Sequence, residues 1–191
     1  MIDLKVIIGH YQEDLSWVKK LKHPYIIYNK NRKHDGKYDY DIKNVKWDAG
    51  VYFTYLVDHY DNLPDFVCFS QDRTDDHYPC FLDKVNNFDG SVDFLPLGIT
   101  YERDQTHILS ETTDYAERVG IKYELPIIFV AGAMAIISKK LILKNTKEFY
   151  QSILDSLPEV RIHKDNWSIE YLLPTIFHSN NLKIGINCNK L

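Results

Sequence analysis

Three apolar runs in this 191-residue chain each stop abruptly in side chains able to do chemistry. "VIIGHYQED" closes on His10, Tyr11, Glu13 and Asp14, "YIIYNKN" on Asn29 to Asn31, and "FVCFSQDRTDDHYP" on a cluster running from Gln71 to His77. The last is the densest. Its carboxylates Asp72, Asp75 and Asp76 suit a hard divalent cation, which would in turn neutralise a diphosphate. The same residues equally suit a solvated turn in which they cap backbone amides. Arg73 would repel a cation but grips phosphate as a bidentate fork. His10 and Tyr11, just past a strand, suit a nucleobase and its ribose, whereas Glu13 and Asp14 serve as well as favourable charges at a helix N-terminus.

Two further places carry chemistry. "AGAMA" sets Gly132 among small residues, as close approach of backbone to a ligand requires, although tight packing of helix on sheet needs the same. "DNWSIEY" holds Asp165 and Glu170; a carboxylate at a pocket mouth can take a proton from an attacking hydroxyl, and one in a first helical turn can simply face the helix dipole. His59, His163 and His178 lack metal-ligand spacing and read as structural. There is no Walker A loop, GxGxxG, GxSxG or HExxH.

The elements that must position these groups follow from periodicity. "LKVIIG" (residues 4–9) reads as a buried strand, "EDLSWVKKL" as a helix with Leu15, Val18 and Leu21 on one face, and residues 24–31 as a second strand. Strand, helix, strand at this spacing makes a βαβ unit with parallel strands. Residues 29–48 read as surface loop, 50–60 as a largely buried helix stopped by Pro64, and 65–70 as a third strand. Residues 86–124 read mostly as loop with short elements, and long loops often carry function. "IIFVAGAMAIIS" places strand on either side of a Gly-centred bend. Residues 147–157 form an amphipathic helix presenting Phe149, Ile153 and Leu157, and a last helix follows the caps Asp165 and Asn166, with Pro174 kinking or ending it. The expected fold is α/β: one domain over residues 1–191, whole or part of a longer protein, with a Rossmann-like, mainly parallel mixed sheet flanked by helices. Ligands in such sheets sit outside the carboxyl ends of the strands, where all three clusters fall.

Composition narrows the classes. A net charge of -4 and pI near 6.0 give no general attraction to nucleic acid. The longest apolar stretch, residues 126–137, is too short to cross a bilayer as a helix, so no membrane insertion is expected. Asp3 and Lys5 make a signal peptide a poor reading of the N-terminus. Three cysteines at 68, 80 and 188, outside any CxxC pattern, predict neither a disulfide framework nor zinc, and fit a reducing, cytoplasmic setting. The excess of Lys over Arg with abundant Asn, Ile and Tyr suits an AT-rich genome, such as that of some large DNA viruses.

In order along the chain, "VIIGHYQEDLSWV", "YIIYNK", "NVKWDAGVYFTYLVDHYDNLPDFVCFSQ", "AGAMAIISKKLILKNTKEFYQSIL" and "WSIEYLLPTIF" resemble the DUF3431 family. The layout is also similar to the GT-A class of nucleotide-sugar glycosyltransferases. That resemblance implies that His10, Tyr11 and Asn29 contact the nucleotide, Asp48 and Gly50 lie near base or ribose, and Gly132 and Ala133 border the sugar. It also implies that Glu170 is the base if the reaction inverts rather than retains. Where the class has Asp-x-Asp, this chain has Gln71-Asp72-Arg73, so either Asp72 with Asp75 or Asp76 holds manganese or magnesium, or Arg73 meets the diphosphate without metal. The expected reaction moves a sugar from a UDP- or GDP-sugar to a hydroxyl of a glycan or glycoprotein. A non-catalytic nucleotide- or sugar-binding module is the alternative, followed by a metal-dependent phosphoester hydrolase.

Overall fold

Along the first strand, β1 (Leu4–His10), Leu4, Val6 and Ile8 face one side and Ile7 the other, and all four are buried. A strand apolar on both faces must lie inside a sheet covered twice. The computed structural model, which describes residues 2–30, 40–41, 47–76, 78–104, 110–157, 164–179 and 182, places it there. β2 (Tyr25–Asn29) and the short β3 (Tyr40–Asp41) extend the sheet on one side of β1; after α1 (Trp47–His59) the chain crosses to the other side as β4 (Phe66–Gln71). These four strands are parallel. α2 (Phe81–Asn86) then leads to β5 (Phe94–Pro96), β6 (Thr100–Arg103), α3 (Ser110–Val119) and β7 (Ile127–Val130). β8 (Ala135–Ser138), α4 (Lys139–Ile142), α5 (Lys147–Ser156) and α6 (Lys164–Ile176) complete the described elements.

The main sheet has six strands in the order β3-β2-β1-β4-β8-β5, with β8 antiparallel to both neighbours. β6 and β7 form a separate antiparallel ribbon. On one face Ile7, Val67 and Phe69 pack beneath α1, α5 and α6; on the other Val6, Ile8 and Cys68 meet Val18 together with Phe81 and Val85 of α2. α1 is apolar nearly all round because it lies between the sheet and α5, with Ala49 to Phe53, Tyr55 and Leu56 buried. Since β1 is followed by β2 on one side while β4 lies on the other, the chain diverges between β1 and β4. The crevice of an open α/β sheet opens there, outside the carboxyl ends.

The expected βαβ pairing, the buried helix, the third strand and the Gly-centred bend are all present. Four expectations need correction. The segment after β1 is a single 3₁₀ run, Ser16–Lys20, because Asp14 accepts a hydrogen bond from Ser16 N at 3.0 Å and Pro24 disfavours helix just before it. The 86–124 segment contains the ten-residue α3, whose polar composition hides the buried Thr112, Tyr115 and Ala116. α6 starts at Lys164, so Asp165 and Asn166 lie within it rather than capping it, and it runs two residues past Pro174 before ending. Cys80 is disulfide-bonded while Cys68 is a buried free thiol; spacing could not show this, because pairing depends on distance in the fold. His34, His77, His107 and His163 lie outside the described residues.

Gly9 marks where sheet and site meet. A Cβ there would lie 2.5 Å from Asp48 Oδ1 and 3.3 Å from Val51 Cγ2. Gly9→Ala should displace the Asp48 carboxylate and cost about 1–3 kcal/mol. Denaturant unfolding of Gly9→Ala, Asp48→Ala and the double variant should give a double-variant loss smaller than the sum of the singles; simple additivity would show that the clash is relieved elsewhere.

Candidate functional site

At the divergence point, a single carboxylate oxygen gathers the ends of β1 and β4. Asp72 Oδ2 lies 3.1 Å from His10 Nδ1 and accepts the backbone N–H of Tyr11 at 2.7 Å and of Glu13 at 3.4 Å. An ionised carboxylate only accepts, so the His10 proton on this contact sits on Nδ1. Asp72 N donates to Gly9 O at 3.1 Å, prolonging the β1–β4 ladder, and Asp72 O accepts from Trp17 Nε1 at 2.8 Å. Burial pushes the Asp72 carboxyl up, but the hydrogen bonds from His10, Tyr11 and Glu13 and the charge of Lys30 outweigh it and hold it below its ordinary 3.8.

Lys30, one residue beyond β2, is buried and forms an ion pair with Asp48 at 2.5 Å. Burial raises the Asp48 carboxyl above its ordinary value; Lys30 works against that rise, and the Asp72 charge adds to it. The third carboxylate arrives from α6: Glu170 Oε1 accepts the Gly132 N–H at 3.1 Å, while the Gly132 carbonyl accepts from Gln71 Nε2 at 2.8 Å. Gly132 has φ 78°, where glycine is at ease, and Ala133 follows at φ 52°, where it is not. Beneath these groups lies Tyr52, stacked on Phe69 at 4.5 Å, its hydroxyl buried with no hydrogen-bond partner among the described residues. Burial raises its phenol well above 10, and the charges of Asp48, Asp72 and Glu170 add to the rise, so the three carboxylates share one neighbourhood.

Two cavities open here, on opposite faces of the sheet. The smaller, about 290 Å³, is lined by Trp47, Asp48, Gln71, Gly132, Ala133 and Glu170 with Ala49, Trp167 and Ile169. The larger, about 500 Å³, includes Glu13, Asp14, Trp17, Asp72, Arg73, Thr74, Asp75 and Phe81. Thus Asp48, Gly132, Ala133 and Glu170 come together in one cavity, and Asp72, Arg73 and Asp75 in the other. His10 and Tyr11 join the second through Asp72. Asn29 is wholly buried at the end of β2, and Gly50 is buried within α1; neither is among the lining residues of these two cavities.

Asp76 pairs with Arg73 at 2.9 Å on an exposed turn. One Asp72 oxygen, Oδ2, accepts three donors, and Asp76 Oδ2 is held by Arg73. Among the described residues no group of three or more His, Cys, Asp or Glu is placed to hold a metal ion. Gln71 donates to the Gly132 carbonyl, which an ionised carboxylate in its place could not do.

Sequence reasoning missed Lys30, Trp47 and Trp167. The signal for Lys30 was its place one residue past a buried strand; both tryptophans adjoin helix starts whose neighbours, Asp48 and Glu170, were already singled out.

Residues 6–88, from within β1 to just past α2, match the model of a family described as a protein of unknown function, DUF3431. The matched region holds His10, Lys30, Asp48 and Asp72 and stops short of Gly132 and Glu170. Comparison with curated proteins and with solved structures returns no match.

The buried Asp72 and the partly buried Asp48 should give opposite pH dependences. Asp72, lowered in the folded state, stabilises above its ordinary 3.8 and loses that contribution as pH falls through its folded pKa. Asp72→Asn should therefore cost about 1.5–3 kcal/mol at neutral pH, with the gap to wild type closing in acid; a gap independent of pH would mean that the charge is immaterial. Asp48, raised in the folded state, is penalised as pH rises through its folded pKa. Lys30→Met should cost about 3–5 kcal/mol at neutral pH by leaving that charge unpaired, and Asp48→Asn or acid should recover part of the loss, as read by denaturant titration.

Proposed function

We propose that the chain is a GT-A-like glycosyltransferase moving a sugar from a UDP- or GDP-sugar to a hydroxyl of a glycan or glycoprotein. The observation that carries this reading is the cavity in which Glu170 and Asp48 meet Gln71 and Gly132 outside the carboxyl ends of a mainly parallel sheet. A carboxylate in a cleft with polar neighbours can take the proton of an attacking hydroxyl. In the step proposed, the acceptor oxygen forms a bond to the anomeric carbon of the donor sugar. The bond from that carbon to the phosphate oxygen breaks, its electron pair leaves with the nucleoside diphosphate, and the hydroxyl proton passes to Glu170. Arg73, lining the larger cavity at the same end of the sheet, supplies the positive partner for the diphosphate charge. His10 and Asp72 hold the wall between strands. The disulfide at Cys80 favours an oxidising compartment for this reaction over the cytoplasm.

A second reading, a binding module without turnover, is favoured by one observation. Gln71 and Asp72, the residues standing at the Asp-x-Asp position, are committed to holding Gly132 and the β1 end in place.

Thermal denaturation against UDP-, GDP- and CMP-sugars, each with and without manganese, tests both, because a ligand specific to the native state raises its apparent stability. One nucleotide class should raise the midpoint. Glu170→Gln should keep that shift and lower transfer by about 10²–10⁴-fold. Unchanged turnover removes Glu170 from the mechanism, and a donor shift without transfer or hydrolysis in wild type selects the binding module.

A further inference from the structure

The small cavity has aromatic walls that the reaction above leaves unexplained. Trp47, in the first turn of α1, is 37% exposed, and Trp167, near the start of α6, is 47% exposed. Both border the same cavity. Two large apolar rings half open to water lose solvation energy unless something covers them. Trp47 also holds φ 50°, which is costly for a bulky side chain, and Ala133 across the lining holds φ 52°. Two of the three positive-φ non-glycine residues among the described ones thus lie in this lining, and such strain gathers at ligand-binding positions.

The occupant is constrained by size, charge and hydrogen bonding. About 290 Å³ is at the lower end of ligand pockets (~300–1,000 Å³), enough for one ring rather than a whole nucleotide-sugar. Among the described residues the charged groups in the lining, Asp48 and Glu170, are acidic, and Lys30 beside them is paired with Asp48, which favours a neutral ring over a phosphate or uronate. The carboxylate oxygens accept hydrogen bonds and the Gln71 amide offers both kinds of group, which suits several hydroxyls around a ring with apolar faces. We propose that this cavity binds a neutral pyranose, covered by Trp47 and Trp167, as the terminal sugar of the acceptor. This rests on the glycosyltransferase reading for the word acceptor; the pyranose site itself does not. The bound sugar presents a hydroxyl to Glu170.

The test uses the full chain labelled with 5-fluorotryptophan. Its three tryptophans give three fluorine resonances, assigned with single Trp→Phe variants. Methyl glycosides of glucose, galactose, mannose and N-acetylglucosamine, glucuronate, uridine and guanosine are titrated separately. At least one neutral glycoside should move the Trp47 and Trp167 signals saturably while sparing Trp17, with glucuronate weaker. Trp167→Ala and Trp47→Ala should each weaken the binding about tenfold, in protein whose circular dichroism shows it folded. Shifts confined to the nucleosides overturn the proposal in favour of a base pocket, and no saturable shift with any probe overturns it outright. The donor panel separates the two readings: glycoside binding without any donor response keeps the pyranose site and removes the transferase, whereas donor turnover without glycoside binding does the reverse.

Discussion

A buried negative charge on Asp72 is the constraint around which the strand ends are organised. An ionised carboxylate taken out of water is tolerable only if its lone pairs are occupied by donors. Three donors come from the last residue of β1 and the segment just after it: the His10 ring and the Tyr11 and Glu13 amides. The requirement is mutual, since those amides lie past the end of the β1 ladder and donate to Asp72. The charge therefore fixes the path of the chain out of β1, and with it one wall of the larger cavity.

A peptide rather than a charge performs the corresponding task on the other face of the sheet. Both polar atoms of Gly132 are taken by side chains, its N–H by Glu170 and its carbonyl by Gln71. The bend between β7 and β8 is thereby tied to the end of β4 and to α6, three elements far apart in sequence. Pro174, four residues after Glu170, has no N–H to offer the Glu170 carbonyl, so the helix is locally weakened at the residue that reaches the cleft. The left-handed geometry of Gly132 lets the chain turn sharply enough for β8 to enter the sheet antiparallel to β4. Without that reversal, α6 would not be brought to the carboxyl edge.

Charge balance differs between the two cavities, and the difference bears on what each can hold. In the small one the charged groups among the described residues are the acidic Asp48, which is bound to Lys30, and the acidic Glu170. In the large one Arg73 is exposed and paired with Asp76, a contact weak enough in water to exchange for a phosphate. Asp72 stands between the two, buried and already neutralised by hydrogen bonds, so it shapes the edge of the sheet without dominating its field.

Sequence alone determined the elements whose hydrophobic pattern is unambiguous. The doubly apolar "LKVIIG" and "FVCFS" could only be interior strands, the spacing of the first two strands required a parallel pair, and residues 50–60, apolar on every side, required burial. The three polar clusters had to fall at carboxyl ends once those strands were placed. Tertiary structure decided what periodicity does not encode. α3 is polar and owes its helix to packing of Thr112, Tyr115 and Ala116. β8 takes its place by pairing with β4, a long-range choice. The candidate residues divide between two cavities because neighbouring strand-end side chains point to opposite faces, so Gln71 and Asp72 separate although adjacent. Lys30, Trp47 and Trp167 became visible only when distant chain ends met, because a cleft is a property of juxtaposed elements and no single segment carries its pattern.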